Sequence, residues 1–251
     1  MKVFFTLLVF ALAAPMAQAQ PSLADGFGRF NLEAARNRYA VQHGQLSDGT
    51  QVERFELRDG DCTGTDCSRD RERVEFIQNT GPRNGTEVWV GYSVMLDPTW
   101  PDLGPRMNTK IGQWHLPRFQ GRGQGPTLLM EVNDECLIVS VKDPNVPDTD
   151  PMNPAPNLAW DCIAPRSQLI GRFNRIMVNA IWSTGADGKL DVYLNGRLAW
   201  SHRGRTINVN AQPYFRYGIY RSFVSRCAAG CGTQIAYFSD VVQGRSRAEV
   251  E

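Results

Sequence analysis

Histidine and lysine are scarce in this chain, with three histidines in 251 residues and only four lysines among 27 cationic side chains. Few groups can therefore titrate near neutral pH, and the candidates are His43, His115 and His202. Net charge is lacking too. The 26 acidic residues leave a formal charge of +1, which gives no global basic field for nucleic acid. After the N-terminal segment no run approaches the roughly 18 apolar residues of a membrane-crossing helix. No internal repeat and no amphipathic helix of ten or more residues is legible, which argues against βαβ units.

The segment that is apolar begins the chain. Met1-Lys2-Val3 leads into an uncharged run to Ala14 and then Ala17-Gln18-Ala19, the pattern of a secretory signal with an A-x-A cleavage site. Residues 1–19 are expected to be a signal peptide and residues 20–251 one domain, secreted or periplasmic, free of the membrane after signal removal. Six cysteines fit that oxidising context. Their spacing suggests three local pairs, Cys62 with Cys67, Cys136 with Cys162 and Cys227 with Cys231, out of fifteen possible connectivities. The even count and the compartment set disulfides above a zinc site. The excess of arginine, whose planar fork suits carboxylates, keeps acidic ligands in play.

The remaining signals are of strands and turns. Gln51–Leu57, Arg71–Phe76, Glu87–Leu96, Lys110–His115, Thr127–Val132, Cys136–Val141, Arg172–Trp182, Tyr214–Arg221 and Gln234–Val242 alternate or are rich in β-branched and aromatic residues. Leu190–Trp200 reads as a hairpin with the Asn195-Gly196 signal of a type I′ turn. Asp25–Tyr39 fits a short helix or a strand equally well. The expected fold is all-β, a β-sandwich of two antiparallel sheets in a single domain. The Pro-rich loop 143–157 carries Asp143, Asp148 and Asp150, which makes a structural calcium ion possible, although the spacing is not that of an EF-hand.

Alternation also sorts functional groups by face. Arg71, Arg73 and Glu75 share one face of their strand, with Val74 and Phe76 opposite. Gln113 and His115 share a face with Ile111, and Trp114 points the other way. Tyr214, Arg216, Gly218 and Tyr220 form a third set, with Gly218 expected to leave room for a ligand near the backbone. One face of a sheet can hold all three sets in a single cleft. Singly, each set reads as ordinary solvated sheet surface, an exposed Arg–Glu pair being worth under about 1 kcal/mol. Trp89, Trp114, Trp182 and Trp200 read as core, and His43 and His202 as surface.

Arg73-Val74-Glu75-Phe76, Gln113-Trp114-His115 and Tyr214-Phe215-Arg216-Tyr217-Gly218-Ile219-Tyr220 resemble, in that order, the R-x-E-L, Q-I/V-H and Y-F-K-x-G-x-Y signatures of jelly-roll polysaccharide lyases, the group of heparin lyase I-like enzymes, glucuronan lyases and alginate lyases. The segment Tyr237-Phe238-Ser239-Asp240-Val241 is similar to the glucuronan and heparin lyase-like branch. Arg216 stands where the alginate lyase signature has lysine, and Phe76 where it has leucine.

The resemblance implies a concanavalin-like jelly-roll form of that sandwich and a lyase that cleaves a 4-linked uronate polymer by β-elimination without a required cofactor. Removing the C5 proton beside a carboxylate requires that carboxylate to be neutralised so that it can accept charge. Gln113 and Arg73 are the expected neutralisers, His115 the base, and Tyr220 the acid, or both acid and base. Arg216, Tyr214, Arg71, Glu75 and Lys110 are the substrate-binding candidates. Arg216 would lower the Tyr220 pKa or grip a neighbouring carboxylate, and Glu75 would orient Arg73. The expected partner is an acidic polysaccharide, with no nucleic acid and no membrane, and the chain is expected to be a monomer. The rival readings are a non-catalytic carbohydrate-binding sandwich and a glycoside hydrolase on the same fold. The latter needs two carboxylates flanking the bond, and Glu53 and Glu56 fall on opposite faces of their strand.

Overall fold

The computed structural model describes residues 21–104, 107–146, 155–227 and 229–251. In chain order the strands are β1 (Phe30–Ala34), β2 (Val41–Gln45), β3 (Gln51–Leu57), β4 (Arg71–Gln78), β5 (Glu87–Leu96), β6 (Thr109–His115) and β7 (Pro126–Val132). They continue with β8 (Cys136–Lys142), β9 (Asn157–Pro165), β10 (Asn174–Ile181), β11 (Lys189–Leu194), β12 (Arg197–Arg203), β13 (Tyr214–Ser222) and β14 (Gln234–Gly244). A front sheet runs β1-β4-β13-β6-β7-β8-β9 and a back sheet β12-β11-β10-β5-β14-β3-β2. Every ladder between these strands is antiparallel. This is the jelly-roll sandwich in one domain.

The core lies where the inner faces meet. Val74 and Phe76 of β4, Phe215, Tyr217 and Ile219 of β13 and Trp114 of β6 pack against Phe55, Tyr92, Val94 and Phe238 of the back sheet. Phe55 of the back sheet joins the ring cluster edge-on, 5.1 Å from Phe238 and 5.6 Å from both Phe76 and Tyr217. Edge-to-face pairs of this kind add about 0.5–1.5 kcal/mol each to the burial of their apolar surface. With every odd residue of β13 from Phe215 to Ile219 drawn inward, Tyr214, Arg216 and Tyr220 turn to the outer face.

Two expectations fail on backbone grounds. Ile111 sits in the core and not beside Gln113 and His115. The register on β6 shifts between Lys110 and Gly112, so Ile111 is the extra residue of a bulge and the alternation restarts after it. Lys110, Gln113 and His115 thereby share the outer side. Gly218 leaves no room for a ligand. Its φ is +133°, and a Cβ there would meet the Val74 carbonyl oxygen at 2.2 Å and Phe55 at 3.0 Å, so glycine serves the close packing of β13 on β4.

Other findings concern the edges. Asp25–Tyr39 contributes strand β1, while β2 and β9 escape sequence reading because edge strands expose both faces. The Asn195-Gly196 turn has φ of +50° and +80°, as a type I′ turn requires. All three expected disulfides form, with Cα separations of 5.0, 5.5 and 5.1 Å. His43 is not a surface residue but half-buried, its Nε2 3.9 Å from Glu53 Oε1. Trp89, Trp114 and Trp182 are buried, whereas Trp200 is only partly so. The expected signal peptide lies outside the described residues, as do Asp148 and Asp150. Asp143 accepts hydrogen bonds from Asn145. Among the described residues no cluster of His, Cys, Asp or Glu is arranged to hold a metal ion, and no helix is long and apolar enough to cross a membrane.

Candidate active site

The ladders bring the expected residues side by side. His115 pairs with Tyr214, Gln113 with Arg216, and Tyr220 with both Lys110 and Arg73. Arg71, Arg73, Lys110, Gln113, His115, Arg216 and Tyr220 all line one cleft of about 370 Å³ on the outer face of the front sheet. Tyr214 stands behind it, accepting from Arg216 Nη2 at 2.8 Å and lying 3.4 Å from His115 Nδ1.

Glu75 is placed differently from the expectation of a substrate contact. It is fully buried beneath the cleft, where an isolated carboxylate would be costly. Its Oε1 accepts from Gln113 Nε2 at 2.6 Å and its Oε2 from Arg73 Nη1 at 3.2 Å, with Arg216 Nη1 at 3.7 Å. One buried anion thus holds an amide and two guanidinium groups in register. An ionised carboxylate only accepts, so the amide nitrogen of Gln113 is fixed toward Glu75, leaving its second N–H and its carbonyl for other partners.

Arg73 is more heavily countered than its expected role requires. Asp66 grips it twice, through Nε and through Nη2 at 2.8 Å, and Glu33 Oε2 lies 3.3 Å from Nη1. Burial opposes the charge, but Glu75, Asp66 and Glu33 together raise the Arg73 pKa above its ordinary value. Glu33 also accepts from Arg216 Nη1 at 3.3 Å, while Arg216 Nε is buried without a partner. Neither Glu33 nor Asp66 stands out in the sequence. The signal available for Asp66 is its position inside the Cys62–Cys67 loop, which the disulfide folds back on Arg73.

The two proton-transfer candidates have opposite characters. His115 Nδ1 lies 2.7 Å from the Leu116 carbonyl oxygen, which only accepts, so Nδ1 carries the proton and Nε2 the lone pair. Burial, then Arg216, with Arg73 and Arg71 adding to it, push the His115 pKa down to about 3, against the Leu116 carbonyl. The imidazole is a neutral acceptor. The Tyr220 ring lies between the Arg73 guanidinium at 4.3 Å and Lys110 Nζ at 5.5 Å. Burial raises its pKa, and Arg73 and Arg71 pull it back. The phenol is a protonated donor whose hydroxyl makes no hydrogen bond to another described residue. Lys110 reaches Ser222 Oγ at 3.1 Å and Glu131 at 3.9 Å, and burial lowers its pKa.

The charge of the lining is one-sided. Arg69, Arg71, Arg73, Lys110, Lys142 and Arg216 face only Glu33, Asp66 and Glu131, in a chain whose formal charge is +1. Such a cleft concentrates positive potential where a polyanion would lie. Arg69 and Lys142 join the expected cations, and neither belongs to a motif.

A jelly-roll sandwich with a cationic cleft holding a neutral imidazole and a protonated phenol is an architecture suited to proton abstraction beside a carboxylate. The family model described as polysaccharide lyase matches residues 21–242, and the chain belongs to that family of enzymes. Comparison with curated protein sequences gives no match. Among solved structures, an endo-β-1,4-glucuronan lyase from the fungus Trichoderma reesei is similar at 18% identity, with a TM-score of 0.64 over 90% of this chain and 93% of that one. A family 7 alginate lyase in complex with product is similar at 16% identity, with a TM-score of 0.56 over 84% of each chain.

Proposed function

We propose that the protein is a secreted, monomeric lyase that cleaves a 4-linked polyuronate by β-elimination, its domain spanning residues 20–251 after loss of a signal peptide. The observation that carries this reading is the convergence of Gln113, His115, Arg216 and Tyr220 in one cation-lined cleft above buried Glu75. Three disulfides support passage through an oxidising compartment.

In the proposed reaction the uronate carboxylate lies against the free N–H of Gln113 and the guanidinium groups of Arg216 and Arg73, which stabilise the charge that develops on it. His115 Nε2 takes the C5 proton. The electron pair of the C5–H bond becomes the C4–C5 double bond as the C4–O4 bond breaks, and Tyr220 delivers its phenolic proton to the departing O4. The products are an unsaturated non-reducing end and a new reducing-side terminus, and proton return from His115 to Tyr220 through water resets the site.

The glucuronan lyase neighbour makes glucuronan the first polymer to test, and alginate the second. Ultraviolet absorbance of the unsaturated product should grow on at least one of them, and silence on both removes the reading. His115→Ala and Tyr220→Phe should each lower kcat by about 100-fold or more, and near-normal turnover in either refutes that residue's role.

A further inference from the structure

The ladder registers carry the site beyond the cleft. Arg216 pairs with Gln113, Gln113 with Leu129, Leu129 with Ser140, and Ser140 with Trp160. Cross-strand partners share a face, so this row runs across five adjacent strands from β13 to the sheet edge at β9. The same side is set independently at each end. Gln113 and Leu129 line the cleft. At the edge, Asp161 accepts from Trp200 Nε1 of the back sheet at 2.7 Å, so the neighbouring Trp160 turns the opposite way, onto the cleft face.

Trp160 is unusual for so large an apolar side chain, being 46% exposed. Neither its ring nor its indole N–H has a partner among the described residues. It stands three strand spacings, about 14 Å, from Gln113. The ladder positions between them are Leu129, which lines the cleft, and buried Ser140, with Lys142, another lining residue, two residues along β8 from Ser140 and on the same side. The cleft lining itself extends from Glu33 of β1 to Lys142 of β8, so its long axis crosses the strands and points at β9.

We propose that Trp160 is the platform of an outer sugar-binding site, on which a pyranose ring of the bound acidic polysaccharide stacks several residues from the scissile bond. The proposal rests on the lyase reading above and extends it along the polymer. An indole face matches the apolar C–H face of a pyranose ring, and the electron-rich π system attracts those C–H groups. Lys142 between the platform and the centre meets the carboxylate of an intervening uronate. A protein partner fits the patch less well. Trp160 and the adjacent Leu158, 43% exposed, fall far short of the roughly 800 Å² per partner that a stable protein interface buries.

The test compares wild type, Trp160→Ala and Trp160→Phe in two assays. On long glucuronan or alginate, Trp160→Ala should raise KM about three- to tenfold with kcat within twofold, and Trp160→Phe should recover most of the loss. On a trisaccharide, too short to reach both centre and platform, the constants should not change. Retardation in native gels containing either polymer measures binding without turnover, and Trp160→Ala should migrate faster than wild type. An unchanged polymer KM with unchanged retardation overturns the proposal, as does a shift in sedimentation of the variant with no change in KM, which marks a protein contact. Absence of product from the wild type removes the lyase reading instead, and the gel assay still decides whether Trp160 holds the polymer.

Discussion

Gln113 Nε2 donates a 2.6 Å hydrogen bond to Oε1 of Glu75, a carboxylate with no exposure to solvent. The two residues sit on strands that do not touch, since β13 lies between β4 and β6. The bond passes beneath Arg216, whose Nη1 is 3.7 Å from the other Glu75 oxygen. The buried anion therefore sets the orientation of all the groups proposed to neutralise the substrate.

Replacing Glu75 by Gln keeps the volume and removes the charge. Arg73 and Arg216 then lose their shared counter-ion, and the amide of Gln113 can turn. Glu75→Gln is expected to lower kcat on the responsive polymer by at least about tenfold. It should also destabilise the fold by about 3 kcal/mol, the order found when one partner of a buried ion pair is removed. Steady-state kinetics with urea unfolding checks both, and wild-type kcat would show that Glu75 is only structural.

Glu33 calls for a prediction of opposite sign. Its Oε2 is 3.3 Å from both Arg73 Nη1 and Arg216 Nη1, and its side chain is 36% exposed, unlike buried Asp66 and Glu75. A uronate carboxylate seeking the same two guanidinium groups must compete with it. Glu33→Gln should lower KM for the polymer about two- to fivefold, in keeping with a partly exposed ion pair of up to about 1 kcal/mol, and leave kcat nearly unchanged. A raised KM would mean that Glu33 serves to hold the arginines in place.

The pH profile follows from His115. A base must be unprotonated, so activity falls as pH drops through its pKa, and burial together with Arg216, Arg73 and Arg71 holds that pKa down to about 3. The acid limb of kcat/KM should show no inflection near 6.5, the ordinary histidine value. In the complex the uronate charge offsets the arginines, so the limb of kcat should lie at higher pH than that of kcat/KM. Nitrogen NMR of the imidazole should find Nδ1 protonated at neutral pH. A step near 6.5 in kcat/KM that vanishes in His115→Ala would contradict this.

Much of this site is legible in strand alternation, and its failures are physical. Arg73, Arg216 and Tyr220 lie where period two puts them because the β4–β13 ladder runs without a register shift. Ile111 does not, because a bulge depends on how β6 pairs with β7 and leaves no mark in the residues of β6 alone. The roles of Glu33 and Asp66 are hard to read for another reason, even with Asp66 marked by its place in the Cys62–Cys67 loop. Their importance comes from meeting Arg73 across 40 and 7 residues of chain, and neither the disulfide loop nor an edge strand of mixed exposure announces what it will face. Trp160 escapes notice because β9 is an edge strand without clean alternation, although an exposed tryptophan is what makes it informative.

The stability of the fold should depend on pH through a group remote from the cleft. Glu53 is buried, accepts from the Leu23 backbone N–H at 2.9 Å and from the Tyr217 hydroxyl at 2.7 Å, and burial raises its pKa to about 7 although both hydrogen bonds work against the rise. Burial lowers the pKa of nearby His43, so that ring brings little compensating charge. Glutamate in the unfolded chain titrates near about 4.3. Between those values the folded protein keeps a proton that the unfolded chain has released, so stability falls as pH rises. The contribution is full below about pH 4.3 and lost by about pH 7, a change of about 4 kcal/mol. Urea unfolding of wild type and Glu53→Gln from pH 5 to 8 measures it, the variant being expected to show a flatter dependence. Parallel curves for the two proteins would mean that Glu53 is already ionised at pH 5.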